Sequence, residues 1–411
     1  MIVQRVEKQV IKKNNYHYAV LDDFCFKSKN LYNHANYLVR NEFIKNDKWL
    51  KYSELDKMLK ADIEYPDYRQ MPTAQAAQQI LRLLDKNWKS FFKSIKDWSK
   101  HKDKYLGRPK LPKYKGKNDR FMLILTNQNV KLKDGILYFP KVFEGFILKP
   151  VFVNRKDFVS FQQIRVLPKR NHFIIELIYN IEVQDEKLCD NGKYAGVDIG
   201  LDNLATITNN IGLKPVIING KGLKSMNKYY NKQISHCREL AKRMNNTDYT
   251  FRMDKLTVKR NSKVNDYMHK ASRYIIDYCL KNDIHTLVIG NNKNWKQESG
   301  MGKNVNQTFV GIPHQRLIEM LQYKAETVGL NIIITEESYT SGTSFIDNEE
   351  PIKKNYDKSR RIYRGLFVSN NGIKINADVN GSMQIIKKVF PNAFADGIEG
   401  VVLHPIRVNV A

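Results

Sequence analysis

From Lys193 onward, short apolar runs of strand length alternate with longer stretches of helical spacing, and this alternation constrains the fold more than any other feature. Residues 193–199 read as a strand, 205–208 as the start of the next, and 216–218 as a third. A basic helical region over 223–280 follows, carrying Arg238, Lys242, Arg243, Lys259, Arg260, Lys270 and Arg273. Then come a strand at 286–289, a helix over 313–328, a strand at 332–335 and a final helix over 379–389. Elements in this order bury a sheet between helices. The expectation is an α/β unit with a mainly parallel sheet, whose sites form outside the carboxyl ends of its strands. Asp190-Asn191-Gly192 marks where this unit starts, giving a domain over 191–411.

Residues before that point read differently. Residues 2–11 alternate as a strand, Leu31, Ala35, Leu38 and Val39 recur at helical spacing, and Pro72-Thr73 opens a long helix through Trp88 and Ile95. Arg82, Lys86, Lys89, Lys93 and Lys96 lie off the apolar stripe of that helix, as a solvated basic face or a nucleic-acid face. From 120 to 183 the chain reads as short strands with turns at Lys133-Asp134-Gly135 and Lys169-Arg170-Asn171. A β-rich domain over 1–190 carrying a helical insertion at about 28–118 is expected.

The net charge says what such a chain meets. Across 411 residues, 69 Lys and Arg face 42 Asp and Glu, a formal charge of +27 and a pI near 9.7. That imbalance repels itself in a compact state unless a polyanion neutralises it, and nucleic acid is the leading partner. No apolar run is long enough to span a bilayer, so no membrane role is expected. The first residues form neither a signal nor a transit sequence, which gives cytoplasmic residence, nucleoid-associated when bound to DNA. In the segment 100–117, Lys104, Arg108, Lys110, Lys113, Lys115 and Lys117 could neutralise phosphates while Tyr105 and Tyr114 stack on bases. The plainer alternative is a flexible basic linker. In the other domain Lys259, Arg260 and Lys296 join the nucleic-acid candidates, with Trp295 beside Lys296 either stacking on a nucleotide or anchoring its loop. His269 and His314 read as helix-surface or core histidines before phosphate contacts.

Two segments concentrate chemistry. Asp198 in GVDIGL and Asp378 in NADVNG each stand among small residues where a strand or helix meets a turn. An aspartate there is often only a turn or cap residue. Two such carboxylates together suit Mg²⁺ (or Mn²⁺), a hard cation that prefers oxygen ligands.

In order, the segments GVDIGLDNLATIT, VIGNNKNWKQESGMGK, ITEESYTSGTSF, RGLF and NADVNGSMQIIKKVFPNAFADGIEGV resemble the RuvC-type nuclease half of the TnpB proteins of small insertion sequences. These are relatives of the type V CRISPR effectors, and the segment GRPKLPKYKGK resembles the family's N-terminal half. The resemblance implies an RNase H-like (RuvC) nuclease domain beside a wedge domain with a helical recognition insertion. It implies a guide RNA from the transposon end, and cleavage of double-stranded DNA next to a short transposon-adjacent motif. Asp198 and Asp378 match the family's first and last catalytic aspartates. The second catalytic position, usually a Glu, is Gly290 here. Glu336 and Glu337 end the next strand and are the replacements to expect, with one of the two facing the site and Glu337 the preferred one. Glu298 is a weaker third, and the Tyr339-Thr340-Ser341 hydroxyls lie near enough in sequence to orient a carboxylate. Many relatives carry two C-x-x-C zinc pairs where residues 339–376 hold no cysteine, so no zinc is expected in this remnant, and Asp347, Glu349 and Glu350 should form a surface turn. Three functions stay open: an RNA-guided Mg²⁺-dependent endonuclease, a nuclease-inactive RNA-guided DNA-binding repressor, and an RNA-independent transposase or resolvase.

Overall fold

The computed structural model describes every residue except 184–185, 293–309, 364, 396–402 and 411. The chain divides into two units, Met1–Glu182 and Val183–Ala411. The break thus precedes Asp190-Asn191-Gly192. Leu188 already donates to Gly329 at 2.8 Å, so the residues before that turn pack with the second unit.

In the N-terminal unit, β1 (Ile2–Lys12), β2 (Leu123–Thr126), β6 (Phe158–Pro168) and β7 (His172–Glu182) form an antiparallel sheet in the order β1-β7-β6-β2. A small second sheet joins β3 (Lys131–Lys133), β4 (Ile136–Tyr138) and β5 (Ile147–Leu148). Lys133-Asp134-Gly135 makes the expected turn: Asp134 and Gly135 have φ of 49° and 72°, the paired left-handed residues that let a two-residue hairpin follow strand twist. Between β1 and β2 come three helices, α1 (Tyr18–Asn46), α2 (Tyr52–Ala61) and α3 (Ala74–Lys100). The helical insertion starts ten residues before 28, because Leu21, Phe24, Cys25 and Ser28 already recur at helical spacing and are buried. Thr73 caps α3, its hydroxyl accepting from the Ala76 amide at 3.1 Å.

In the C-terminal unit a six-stranded sheet runs β12-β11-β8-β9-β10-β15. Its strands are β8 (Tyr194–Asp198), β9 (Asn203–Asn209), β10 (Val216–Asn219), β11 (Thr286–Gly290), β12 (Asn331–Thr335) and β15 (Ile406–Val408). It is mainly parallel as expected: five of these six strands run in one direction and only β9 is reversed. Short turns join β8, β9 and β10 into an antiparallel meander, whereas β11 and β12 return through helices and lie parallel to β8. The basic stretch is two helices, α4 (Lys221–Asn245) and α5 (Phe251–Lys281), followed by α6 (His314–Thr327). A two-stranded ribbon, β13 (Leu366–Val368) and β14 (Lys374–Asn376), leads into α7 (Ala377–Val389). Ala195, Val197, Ile207, Leu287 and Ile289 join Met268, Ile275 and Leu317 in one buried core. On the other face α7 lies close against β8: a Cβ on Gly196 would stand 2.5 Å from the Ser382 carbonyl oxygen. Only glycine permits that approach, and it draws the start of α7 toward the end of β8. No helix among the described residues is long and apolar enough to cross a membrane.

Candidate functional site

The carboxyl ends of β8, β11 and β12 open on a cavity of about 580 Å³ lined by Asp198, Glu337, Asp378, Asn292, Thr340 and Ser341, with Lys221, Arg361 and Arg407 adding positive charge. Asp198 ends β8 and is half-buried. Asp378 stands in the first turn of α7, which Asn376 caps by accepting from the Asp378 and Val379 amides at 3.0 and 3.2 Å. Capping fixes the direction in which that carboxylate leaves the helix.

Glu337 lines the cavity beside Asp198 and Asp378, and a fourth acid on the lining, Asp202, is paired with Lys224. Gly290 pairs with Thr335 in the parallel β11-β12 ladder, so the chain beyond Thr335 leaves the sheet beside the end of β11. A Cβ on Gly290 would stand 2.4 Å from Glu337 Oε1 and 2.5 Å from Glu337 Cγ. The Glu337 side chain therefore occupies the volume that a side chain at 290 would take. Asn292 holds it from both sides, accepting from the Glu337 amide at 3.2 Å and donating to Oε2 at 3.1 Å. Glu336 is exposed and does not line the cavity, the outward partner in the strand's alternation.

The electrostatics fit a cation. Burial, then the neighbouring Glu337 and Asp378 carboxylates, hold the Asp198 carboxyl well above its ordinary range, against the pull of Arg361. Burial pushes Glu337 up to about 7, opposed by Lys388. Carboxyls so placed keep protons that a divalent ion would displace. As they stand, the three do not close on one point: among the described residues no three Asp, Glu, His or Cys side chains are grouped tightly enough to hold an ion. Asp378 is engaged elsewhere, Oδ2 accepting from Asn203 at 2.6 Å and Oδ1 from Arg361 at 3.3 Å. Asn203 is oriented in turn by Arg407 of β15, which donates to its Oδ1 at 2.9 Å. Asn203, Asn292, Arg361 and Arg407 were not singled out from the sequence, since single amides and cations carry no periodic signal. His314 proves to be a buried strut, its Nε2 3.0 Å from the Gly200 carbonyl in the loop after Asp198.

Residues 339–376 are organised around Arg360. Its guanidinium donates to both Glu349 oxygens at 2.8 Å and to the Gly342 and Asn355 carbonyls at 3.0 Å, with Asp347 at 3.8 Å and Asp357 at 3.9 Å. Asp347 and Glu349 are thus not a surface turn; their side chains are 8% and 19% exposed because Arg360 supplies the counter-charge. From α7, Asn380, Gln384 and Lys387 satisfy backbone groups of residues 343–349.

The nucleic-acid candidates separate into free and engaged groups. Lys104, Lys110, Lys113, Lys117 and Lys259 are exposed, whereas Arg108 and Tyr114, also exposed, are engaged: the Arg108 guanidinium lies 6.0 Å over the Trp98 ring and that of Arg40 4.9 Å over the Tyr114 ring. Tyr105 instead donates its hydroxyl to Asp97 at 2.7 Å, and the Lys115 ammonium lies 4.9 and 4.8 Å over the Tyr32 and Phe121 rings. Arg260 is bonded to Asn227 at 2.7 Å, Asn261 at 2.9 Å and the Gly311 carbonyl, so its fork is used within the unit. Glu298, Trp295 and Lys296 lie outside the described residues.

Parts of the chain match two known protein families. Residues 178–296 match OrfB_IS605, described as a probable transposase, and residues 314–385 match the TNB domain of Cas12f1-like proteins. Over those residues the chain is similar to the TnpB (OrfB_IS605) family. A curated relative, the TnpB-like protein ORF457 of Acidianus two-tailed virus, is 23% identical over 203 residues. That stretch is 48% of this chain and 42% of the viral protein's length. Among solved structures, a Cas12f1–sgRNA–target DNA complex matches at 15% identity and a TM-score of 0.37, over 93% of this chain and 98% of that one. A CRISPR–Cas12f ternary complex matches at 15% identity and 0.38, over 89% and 80%. Likeness at this level fixes neither a site nor an activity.

Proposed function

We propose that this chain is an RNA-guided, Mg²⁺-dependent DNA endonuclease that cuts double-stranded DNA beside a short transposon-adjacent motif, using an RNase H-like (RuvC-type) sheet. One observation carries the reading: the Glu337 carboxylate fills the place that Gly290 vacates, which restores a third carboxylate beside Asp198 and Asp378. Asp198, Glu337 and Asp378 present only oxygen donors, a set that fits a hard divalent cation. Bound there, Mg²⁺ (or Mn²⁺) would supply charge neutralisation at the scissile phosphate and a more acidic water. Asn292 keeps Glu337 directed into the cavity, and the Arg407–Asn203 pair does the same for Asp378. Lys221 and Arg361 on the lining attract the phosphodiester backbone.

In this reading residues 1–182 form a wedge unit whose helical insertion meets guide RNA and target DNA. The +27 charge of the chain is matched by those polyanions, and base pairing supplies the choice of sequence. The test is plasmid cleavage by protein co-expressed with the transposon-end RNA, with and without Mg²⁺. Linearised plasmid that requires RNA, Mg²⁺ and Glu337 supports the reading.

The second reading, an RNA-guided binder without nuclease activity, draws on the Arg361–Asp378 pair, which occupies a carboxylate the first reading needs. Motif-dependent DNA binding with no cutting at any Mg²⁺ concentration would establish it and defeat the first.

A further inference from the structure

Beyond one turn of 3₁₀-helix at Lys102–Lys104, the segment of lysines, prolines and tyrosines after α3 belongs to neither helix nor sheet, yet from Pro112 it is tied at several residues along α1. Asn36 donates to the Pro112 carbonyl at 3.0 Å, and Asn33 exchanges hydrogen bonds with the Lys115 backbone at 2.8 and 2.9 Å. Lys29 donates to the Lys117 carbonyl at 2.8 Å and Ser28 to that of Met122 at 2.7 Å, so the segment descends α1 antiparallel to it. The Asn36 amide is itself locked by the buried Trp88 indole, which donates to it at 3.1 Å. This is a rigid basic ribbon, not a flexible linker.

The ribbon and one face of α3 enclose a groove of about 370 Å³. Asn87, Ser90, Phe91 and Ser94, at i, i+3, i+4 and i+7, line its helical wall, and Pro109 and Pro112 stiffen the other. Lys110 and Lys113 are exposed on the ribbon and also line it. An aromatic ring, a row of small hydroxyls and an amide, and a rim of cations are the separate needs of one nucleotide: a surface for the base, partners for its edge or ribose, and charge for the flanking phosphates.

We propose that this groove takes one nucleotide of single-stranded RNA. Its base lies on Phe91, its polar edge or 2′-hydroxyl meets Asn87, Ser90 and Ser94, and its adjoining phosphates meet Lys110 and Lys113. The volume is at the small end of ligand pockets, which suits a single splayed nucleotide and not a duplex. The hydroxyl-rich wall favours ribose over deoxyribose. The proposal rests on the reading above only in taking RNA as a partner.

The test uses the full-length chain freed of RNA and three probes: a mixed-sequence single-stranded oligoribonucleotide containing 4-thiouridine, its deoxy counterpart, and an RNA hairpin. Crosslinks within residues 87–115 are expected. Ser90→Trp, which fills the groove without altering charge, should weaken the single-stranded RNA about tenfold with an unchanged salt slope. Lys110→Gln with Lys113→Gln should flatten the salt slope by about 1 to 2. Both lysines are exposed, so that variant carries the test if the tryptophan variant does not fold. Crosslinks wholly outside 87–115, an unchanged affinity in a folded Ser90→Trp protein, an unchanged slope in the lysine variant, or equal binding of the deoxy probe would each overturn the proposal. The readings fail separately. An unaltered Ser90→Trp affinity refutes the groove and leaves guided cleavage standing, whereas RNA binding without plasmid cleavage refutes the nuclease and leaves the groove.

Discussion

Moving one carboxylate back across the sheet tests the catalytic reading most directly. A methyl group added at Gly290 would meet Glu337 Oε1 at 2.4 Å, Glu337 Cγ at 2.5 Å and Ile385 Cδ1 at 2.5 Å. Ile385 is buried in α7, so Glu337 is the group that can yield. Gly290→Ala should cost about 1–3 kcal/mol of stability through overpacking and push Glu337 roughly an ångström from its place. A displacement of that size at a reacting centre costs about 10²-fold in rate. Glu337→Ala should lose at least as much, about 2.7 kcal/mol in barrier, without the overpacking. The double variant Gly290→Glu with Glu337→Ala returns a carboxylate to the end of β11 and removes the Glu337 side chain from the volume it needs, leaving the Ile385 Cδ1 methyl to shift. It should recover about tenfold or more over Glu337→Ala alone. Single-turnover plasmid cleavage with RNA-loaded protein reads all four, beside thermal melts. Native-rate cutting by Glu337→Ala would refute the assignment outright. A Gly290→Ala protein that melts lower but cuts at full rate would show that the two positions share space without sharing a function.

Four more outcomes are expected. The Asp198 and Glu337 carboxyls sit above their ordinary values, so the native chain binds protons that the unfolded chain releases. Metal-free stability should therefore fall as pH rises from about 4.5 toward about 7, and Mg²⁺ should recover more of it at pH 8 than at pH 5; melts that are flat with pH would contradict this. Cleavage should climb with pH through about 7 and reach its plateau at lower pH as Mg²⁺ is raised. Arg407→Ala frees the Asn203 amide and should slow cleavage about 10–100-fold at limiting Mg²⁺, with recovery at high Mg²⁺; an unchanged metal dependence would remove Arg407 from the site. Arg360→Ala leaves Glu349 and Asp347 buried without their partner and should destabilise the C-terminal unit by about 3–5 kcal/mol, read by denaturant unfolding.

What the sequence made legible follows physical range. The strands at 286–289 and 332–335 and the helix over 313–328 were readable to within a residue or so, because periodicity and buried runs are local signals. The mainly parallel expectation holds for five of the six strands and fails only at β9, because pairing direction depends on how short the connections are and the turns on either side of β9 are tight enough for a meander. Strand alternation said that only one of Glu336 and Glu337 would face the cavity, not which; Glu337 lines it and Glu336 does not. The holders of the site were not legible. Asn203, Asn292, Arg361 and Arg407 act across separations of 175, 45, 17 and 204 residues, and nothing in a one-dimensional pattern links an amide in one segment to a carboxylate in another.

The Arg360 cluster has a practical consequence. Residues 339–376 take their cross-link from a guanidinium and carboxylates, groups that neither a chelator nor an oxidant can remove. Chelation should then stop the chemistry without loosening the segment that frames it. RNA and DNA could be loaded in EDTA, the assembly left to equilibrate, and cutting started by adding magnesium alone. Under the proposed function, this would give a synchronised first turnover that a thiolate-zinc scaffold, stripped by the same chelator, would not survive to give.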